Sequence, residues 1–231
     1  MRFIVFLLLL ISGNTLAQGN VAHFSYWKPK PAQASHFESG YKKHLQWHRD
    51  HHDKWSWYGW YIISGTRDDV FVDATFNHSW SDFDHPVSPA EDGADNTLNT
   101  YPYADFMGGY KLVNLPALSF ADSTGLRSKF LRMINLTVHD IVDGKKVVEQ
   151  LKSRCQSAGI KTFLTFKMVD GGNLSQLLLF IGFNSFGEAG RLENLQDDLS
   201  AIQHALQLNV ITSITAETLA FRADMSLLQK Q

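Results

Sequence analysis

One order of predicted elements, strand-helix-strand-strand-helix-strand, occurs twice along this chain, and that doubling limits the folds open to it more than any motif does. In the first copy Ala22–Trp27 is short and aromatic, as strands are. Phe37, Tyr41, His44, Leu45 and His48 then recur at three- and four-residue spacing, which predicts an amphipathic helix over Ala34–His52. Trp57–Ser64 and Val70–Asn77 flank the turn Gly65-Thr66-Arg67-Asp68 and predict a hairpin, followed by a helix over Ala90–Thr100 and a strand over Tyr110–Phe120. The second copy runs as strand Phe130–Val138, helix Gly144–Ala158, strands Thr162–Val169 and Leu177–Asn184 around Asp170-Gly171-Gly172, helix Arg191–Leu208 and strand Glu217–Arg222. Aligning Phe76-Asn77 with Phe183-Asn184 sets the offset at 183 − 76 = 107, which also lays Phe24 on Leu131, Tyr41 on Val148 and Val72 on Leu179.

A βαββαβ unit makes an antiparallel sheet that carries both helices on one face and leaves the other bare. The bare face requires a partner, and a second copy in the same chain supplies one. In this the sequence resembles the dimeric α/β-barrel (ferredoxin-like) superfamily, as two fused units like those of the antibiotic-biosynthesis monooxygenases or the NIPSNAP proteins. The resemblance rests on architecture and not on a diagnostic motif. It implies an α+β fold in which tandem ferredoxin-like repeats, over residues 18–122 and 123–231, form an intramolecular dimeric α/β barrel. It further implies a ligand between a sheet and its helices, in a superfamily that includes cofactor-free monooxygenases, haem enzymes and small-molecule isomerases. One fold hosts many chemistries, so the residues must decide among them.

Ahead of the first copy, Met1-Arg2, the apolar run Phe3–Ile11 and the small-residue end at Ala17 read as a cleavable export signal over residues 1–17. The run is too short for a membrane span, which takes ~20 apolar residues. The expectation is a periplasmic or secreted protein with no span after signal removal. Acidic residues outnumber basic ones, 23 to 21, and no basic stretch interleaves with aromatics, which excludes a nucleic-acid partner. The single cysteine, Cys155, lies on an apolar helical stripe and is expected to be a buried thiol.

Comparing the copies singles out candidate site residues. At the 107-residue shift, His44 faces Leu151 and His48 faces Cys155. Histidines at i and i+4 share a helix face, the spacing of an acid–base pair or of a shared metal or haem-adjacent site. In the Val70–Asn77 strand, Asp73 and Thr75 face Phe180 and Gly182 of the other copy, which marks Asp73 as a candidate general base. His78, Trp80 and Asp82 follow in a loop at the strand end, and Trp57, Trp60, Asn77, Trp80 and Asp82 are candidate ligand contacts. His44, His48, Asp73 and His78 are the catalytic candidates. Phosphate-binding glycine loops, the G-x-S-x-G elbow, H-E-x-x-H and C-x-x-C are all missing, which excludes the common nucleotide enzymes, serine hydrolases and zinc proteases.

The leading expectation is an exported protein, monomer or homodimer, whose first half binds a small cyclic or aromatic molecule. It is either a binder or a cofactor-independent oxygenase, isomerase or lyase working by His/Asp acid–base chemistry. No cofactor and no metal ligand set is predicted in this reading. The alternatives are a haem or transition-metal protein using His44 and His48, and a non-catalytic interaction module with an exposed aromatic surface.

Overall fold

The computed structural model describes residues 19–229, so the export-signal expectation lies outside the described residues. The first unit consists of β1 (Val21–Pro29), α1 (Ala34–Asp50), β2 (Tyr58–Ile62), β3 (Phe71–His78), α2 (Pro89–Asn99) and β4 (Ala104–Asn114). The second consists of β5 (Phe130–Val138), α3 (Ile141–Ser157), β6 (Thr162–Asp170), β7 (Gln176–Phe183), the single turn α4 (Phe186–Ala189), α5 (Leu195–Ala205) and β8 (Ile211–Phe221). All pairings are antiparallel, and the strands close in the order β1-β3-β2-β8-β5-β7-β6-β4. Each unit keeps its own four strands together, and the junctions β2–β8 and β4–β6 join them into one barrel. This is the tandem arrangement expected from the repeat.

Side-chain alternation divides every strand between two environments. Phe24, Tyr26, Val72, Ala74, Met133 and Phe180 point into the barrel, where they meet across the two units. The Tyr26 hydroxyl reaches Met133 Sδ at 3.8 Å, and these are positions 107 residues apart that face one another across the approximate two-fold axis. On the outside, α3 and α5 cover β5–β7 with an apolar layer including Leu151, Cys155, Leu199 and Ile202. The outside of the first sheet is covered by α1 and α2, where Phe37, Tyr41, Leu45 and Phe71 supply the apolar part.

Several expected boundaries move. The strand expected over Tyr110–Phe120 is β4, which begins at Ala104 and ends at Asn114; Leu115, Leu118 and Phe120 are apolar because they pack on the core of the second unit, not because they continue the strand. Likewise β8 starts at Ile211 instead of Glu217, its first half being Thr- and Ser-rich. The helix expected over Arg191–Leu208 is ordered as α5 only from Leu195 to Ala205. The hairpins also sit one residue out of step with the helices. Ser25 pairs with Asp73 while Arg132, 107 residues on, pairs with Ile181, so the counterpart of Asp73 is Ile181 and not Phe180. A one-residue slip exchanges the faces of a strand, and Val72 accordingly matches the lumen-facing Phe180, not Leu179.

The α1–α2 contact depends on a glycine. A Cβ at Gly40 would lie 1.7 Å from the carbonyl oxygen of Asn99, in the last turn of α2. Gly40→Ala is therefore expected to push the helices apart and to destabilise the protein by about 2 kcal/mol, the usual cost of overpacking. A thermal melt should show a Tm roughly 5 °C lower.

Candidate functional site

The seam between β1–β3 and the α1/α2 pair holds a cavity of about 210 Å³, lined by side chains from all four elements. His44 and His48, one turn apart on α1, are buried and turn their Nε2 atoms toward each other at 3.1 Å. The other nitrogen of each ring faces a carboxylate: His44 Nδ1 lies 2.8 Å from Asp95 Oδ2, and His48 Nδ1 lies 2.9 Å from Asp53 Oδ2. Asp53 is itself held by the Trp57 indole N–H at 2.9 Å and the Trp55 amide at 3.0 Å. Burial would raise the Asp53 pKa, but the adjacent His48 ring and the hydrogen bonds from Trp55 and Trp57 outweigh it and hold the carboxyl below its ordinary value. A carboxylate on Nδ1 places the ring proton there and leaves the lone pair on Nε2. His44 Nε2 is thereby left to accept, and the Nε2 of His48 faces it at hydrogen-bond distance.

Asp92 of α2 completes the group, with Oδ1 at 3.4 Å from His44 Nε2 and 3.7 Å from His48 Nε2. Given these separations, the point equidistant from the three atoms lies about 2.0 Å from each, matching the roughly 2.0–2.2 Å of zinc–nitrogen and zinc–oxygen bonds. Burial raises the Asp92 pKa, while burial followed by the neighbouring His48 lowers that of His44. Asn96 Nδ2 also approaches His44 Nε2, at 3.2 Å, from the same face of α2.

Asp73 lies in the same cavity. Its carboxyl accepts the Trp27 indole N–H at 2.9 Å, with the Ser25 and Tyr41 hydroxyls beside it. Burial nonetheless dominates and pushes its pKa up to about 7. Burial likewise holds the Tyr41 hydroxyl well above its ordinary pKa, and Asp73 adds to that shift.

The structure thus brings His44, His48, Asp73 and Trp57 together and separates the other candidates from them. His78 sits at the barrel rim in a second, polar recess with Asn77 and Asp82, its Nε2 2.5 Å from Thr75 Oγ1 and its ring 4.1 Å from that of Trp55. Asp82 is occupied as a cap, accepting the Ser79 amide at 2.8 Å. Trp80 is half exposed and lines neither recess. Trp60 points into the barrel, stacked on Tyr58, on the opposite face of the sheet from the histidines. Sequence reasoning missed Asp53, Asp92, Asp95, Asn96, Ser25 and Trp27. The available signal was on α2: at the 107-residue shift, Asp92 and Asp95 fall on Leu199 and Ile202, which are buried against α3. A polar stripe on α1 needs a polar partner, and α2 supplies it.

No protein-family model and no curated protein sequence matches the chain. Solved structures do. A Lactobacillus acidophilus NCFM protein provisionally assigned as a monooxygenase superposes with a TM-score of 0.59 at 10% identity, over 92% of this chain and 97% of that one. An anthrone oxidase-like protein gives 0.58 at 10%, covering 89% and 92%. A mutant chlorite dismutase from Candidatus Nitrospira defluvii gives 0.58 at 7%, covering 88% and 92%. The fold is that of the dimeric α/β barrels, ferredoxin-like proteins.

The raised Asp73 pKa links proton binding to stability. Between about pH 4 and 7 the folded chain holds the Asp73 proton that the unfolded chain has released, so this group's contribution to stability falls as pH rises through that window. Above it the buried carboxylate costs a few kcal/mol. Asp73→Asn should therefore unfold at higher denaturant than the parent at pH 8, and the gap should close at pH 4. A gap independent of pH would show that Asp73 is not the titrating group.

Proposed function

We propose that the first half of this protein holds one divalent transition-metal ion through His44 Nε2, His48 Nε2 and Asp92 Oδ1, and binds a small organic molecule beside it in the α1/α2 cavity. The observation that carries this reading is the convergence of His44 Nε2, His48 Nε2 and Asp92 Oδ1 within 3.7 Å of one another, with the Asp95 and Asp53 carboxylates beside the opposite ring nitrogens. A shared proton or a shared cation satisfies the facing nitrogens. The carboxylate–histidine–metal relay accounts for this arrangement, with Asp95 and Asp53 as the orienting groups. Three carboxylates, Asp53, Asp92 and Asp95, surround two imidazoles, and that excess of negative charge favours a cationic guest.

Two imidazoles and one carboxylate suit iron, manganese, zinc or nickel and leave coordination positions open. Bound there, the ion supplies Lewis acidity, and iron in such a set also supplies oxygen chemistry. Asp73, near half-protonation at neutral pH, gives or takes a proton at the bound molecule. Trp27, Trp57, Tyr101 and Phe106 present ring faces that favour a flat ligand. Oxygenation is the reaction class that this ligand set supports, in line with the monooxygenase and anthrone oxidase-like assignments of two structurally similar proteins. A porphyrin fits poorly: about 210 Å³ is below the ~300–1,000 Å³ that drug-sized ligands occupy. The leader-like residues 1–17 support a periplasmic or secreted location, and no helix among the described residues is long and apolar enough to cross a membrane.

Elemental analysis of the purified protein, followed by titration of the chelator-stripped chain with Zn²⁺ and Co²⁺, tests the metal directly. One ion per chain is expected, together with a Co²⁺ visible spectrum of low-coordinate nitrogen/oxygen ligation and a higher Tm. His48→Ala should abolish binding, and Asp53→Asn should weaken it about 10–100-fold. A metal-free chain that binds neither ion overturns the reading and leaves His44 and His48 as an acid–base pair sharing a proton.

A further inference from the structure

An eight-stranded barrel is just wide enough for its inward side chains to fill it, or for one small ligand to replace some of them. Through most of this lumen the filling is aromatic, with Phe24, Phe76, Phe166 and Phe180 in mutual edge or stacked contact. Toward one end the packing stops, leaving a cavity of about 310 Å³ whose apolar wall includes Tyr26, Tyr110, Met133, Met168 and Leu178. It shares no lining residue with the α1/α2 cavity, because the sheet lies between them: Ser25 and Asp73 face the helices while Phe24 and Tyr26 face the lumen.

The polar lining includes Thr66, Gln176 and Thr215, and three further features decide what this space would take. Asn135 follows the inward-facing Leu131 and Met133 on β5, where an apolar side chain would complete the core, yet its Oδ1 is buried with no hydrogen-bond partner among the described residues. Leaving such an acceptor unpaired costs about 1–3 kcal/mol, so the position is unfavourable unless a donor arrives. The Tyr26 hydroxyl donates to Met133 Sδ at 3.8 Å, a weak acceptor, and has the Arg67 guanidinium beside it. At the rim Arg67 and Glu217 form a two-pronged pair at 2.9 and 2.5 Å, with the guanidinium 4.7 Å above the Tyr26 ring, so the charges at the entrance already cancel.

We infer that the barrel lumen is a second small-molecule site, selective for a neutral molecule of one or two rings bearing a hydroxyl, as in a phenol. The hydroxyl hydrogen pairs with Asn135 Oδ1, its oxygen accepts from Tyr26, and the rings lie against Tyr110 and the methionines. An anion or cation is disfavoured, since the Arg67–Glu217 pair offers no unmatched charge. The volume is at the lower end of ligand pockets, which sets the one- to two-ring limit.

The fluorescent phenol 1-naphthol, titrated into the full chain, tests this site. Saturable binding of one molecule per chain with a blue-shifted emission is expected. Asn135→Leu should weaken binding about tenfold while leaving Tm unchanged or higher, because it removes an unpaired buried acceptor; a purely structural asparagine would give a lower Tm instead. Met168→Phe, which narrows the cavity, should weaken binding by a separate route. His48→Ala should leave naphthol binding unchanged, so failure of the metal site and failure of this one are read independently. Absence of saturable binding, or binding that His48→Ala abolishes and Asn135→Leu does not alter, overturns the inference.

Discussion

Everything in this molecule follows from the need of two antiparallel sheets to bury both of their faces. The helix layer covers one face of each sheet, and the other is covered only by its counterpart. At the junctions Trp60 pairs with Phe221, Ile62 with Leu219 and Leu112 with Met168, so the sheet edges are satisfied as well as the faces. Closure makes the aromatic lumen a shared core to which both units contribute. With that core in place, the helix–sheet seam of one unit can depart from apolar packing without exposing the sheet.

The two seams differ accordingly. In the second unit Leu151, Cys155, Ile181, Leu199 and Ile202 make an ordinary buried layer, and burial pushes the Cys155 pKa up to about 12, as befits a structural thiol. The matching places in the first unit hold His44, His48, Asp73, Asp92 and Asp95. Burying ionisable groups is unfavourable unless each is paired. The carboxylate partners of the two imidazoles and the indole N–H on Asp73 pair most of these atoms. Among the described residues that line this cavity, His23 Nδ1 and, despite its closeness to Asp53, His48 Nδ1 make no hydrogen bond.

The repeat and the fold class were legible because hydrophobic period alone distinguishes α1, α3 and the hairpin strands. His44, His48 and Asp73 were legible because an apolar counterpart exists for each within the same chain. The correct counterpart of Asp73 was not, since the helix offset of 107 fails by one residue in the hairpin and a period of two tolerates no such error. Asp92 and Asp95 were hidden by ordinary expectation: an acidic, weakly apolar helix such as α2 reads as solvent-facing, and only its contact with α1 reveals a half-buried polar face. Trp60 and Trp57, three residues apart on the same segment, reach opposite sides of the sheet, which aromatic density cannot reveal.

The Tyr26–Met133 contact sits where two identical units would place the same side chain against itself. In an assembly of identical subunits every substitution arrives twice, so a residue that suits one seam is imposed on the other and like must tolerate like at the axis. Joining the units in a single polypeptide removes that constraint. One seam can then accumulate charge while its twin stays greasy, and a tyrosine can meet a methionine where symmetry would have demanded a matched pair.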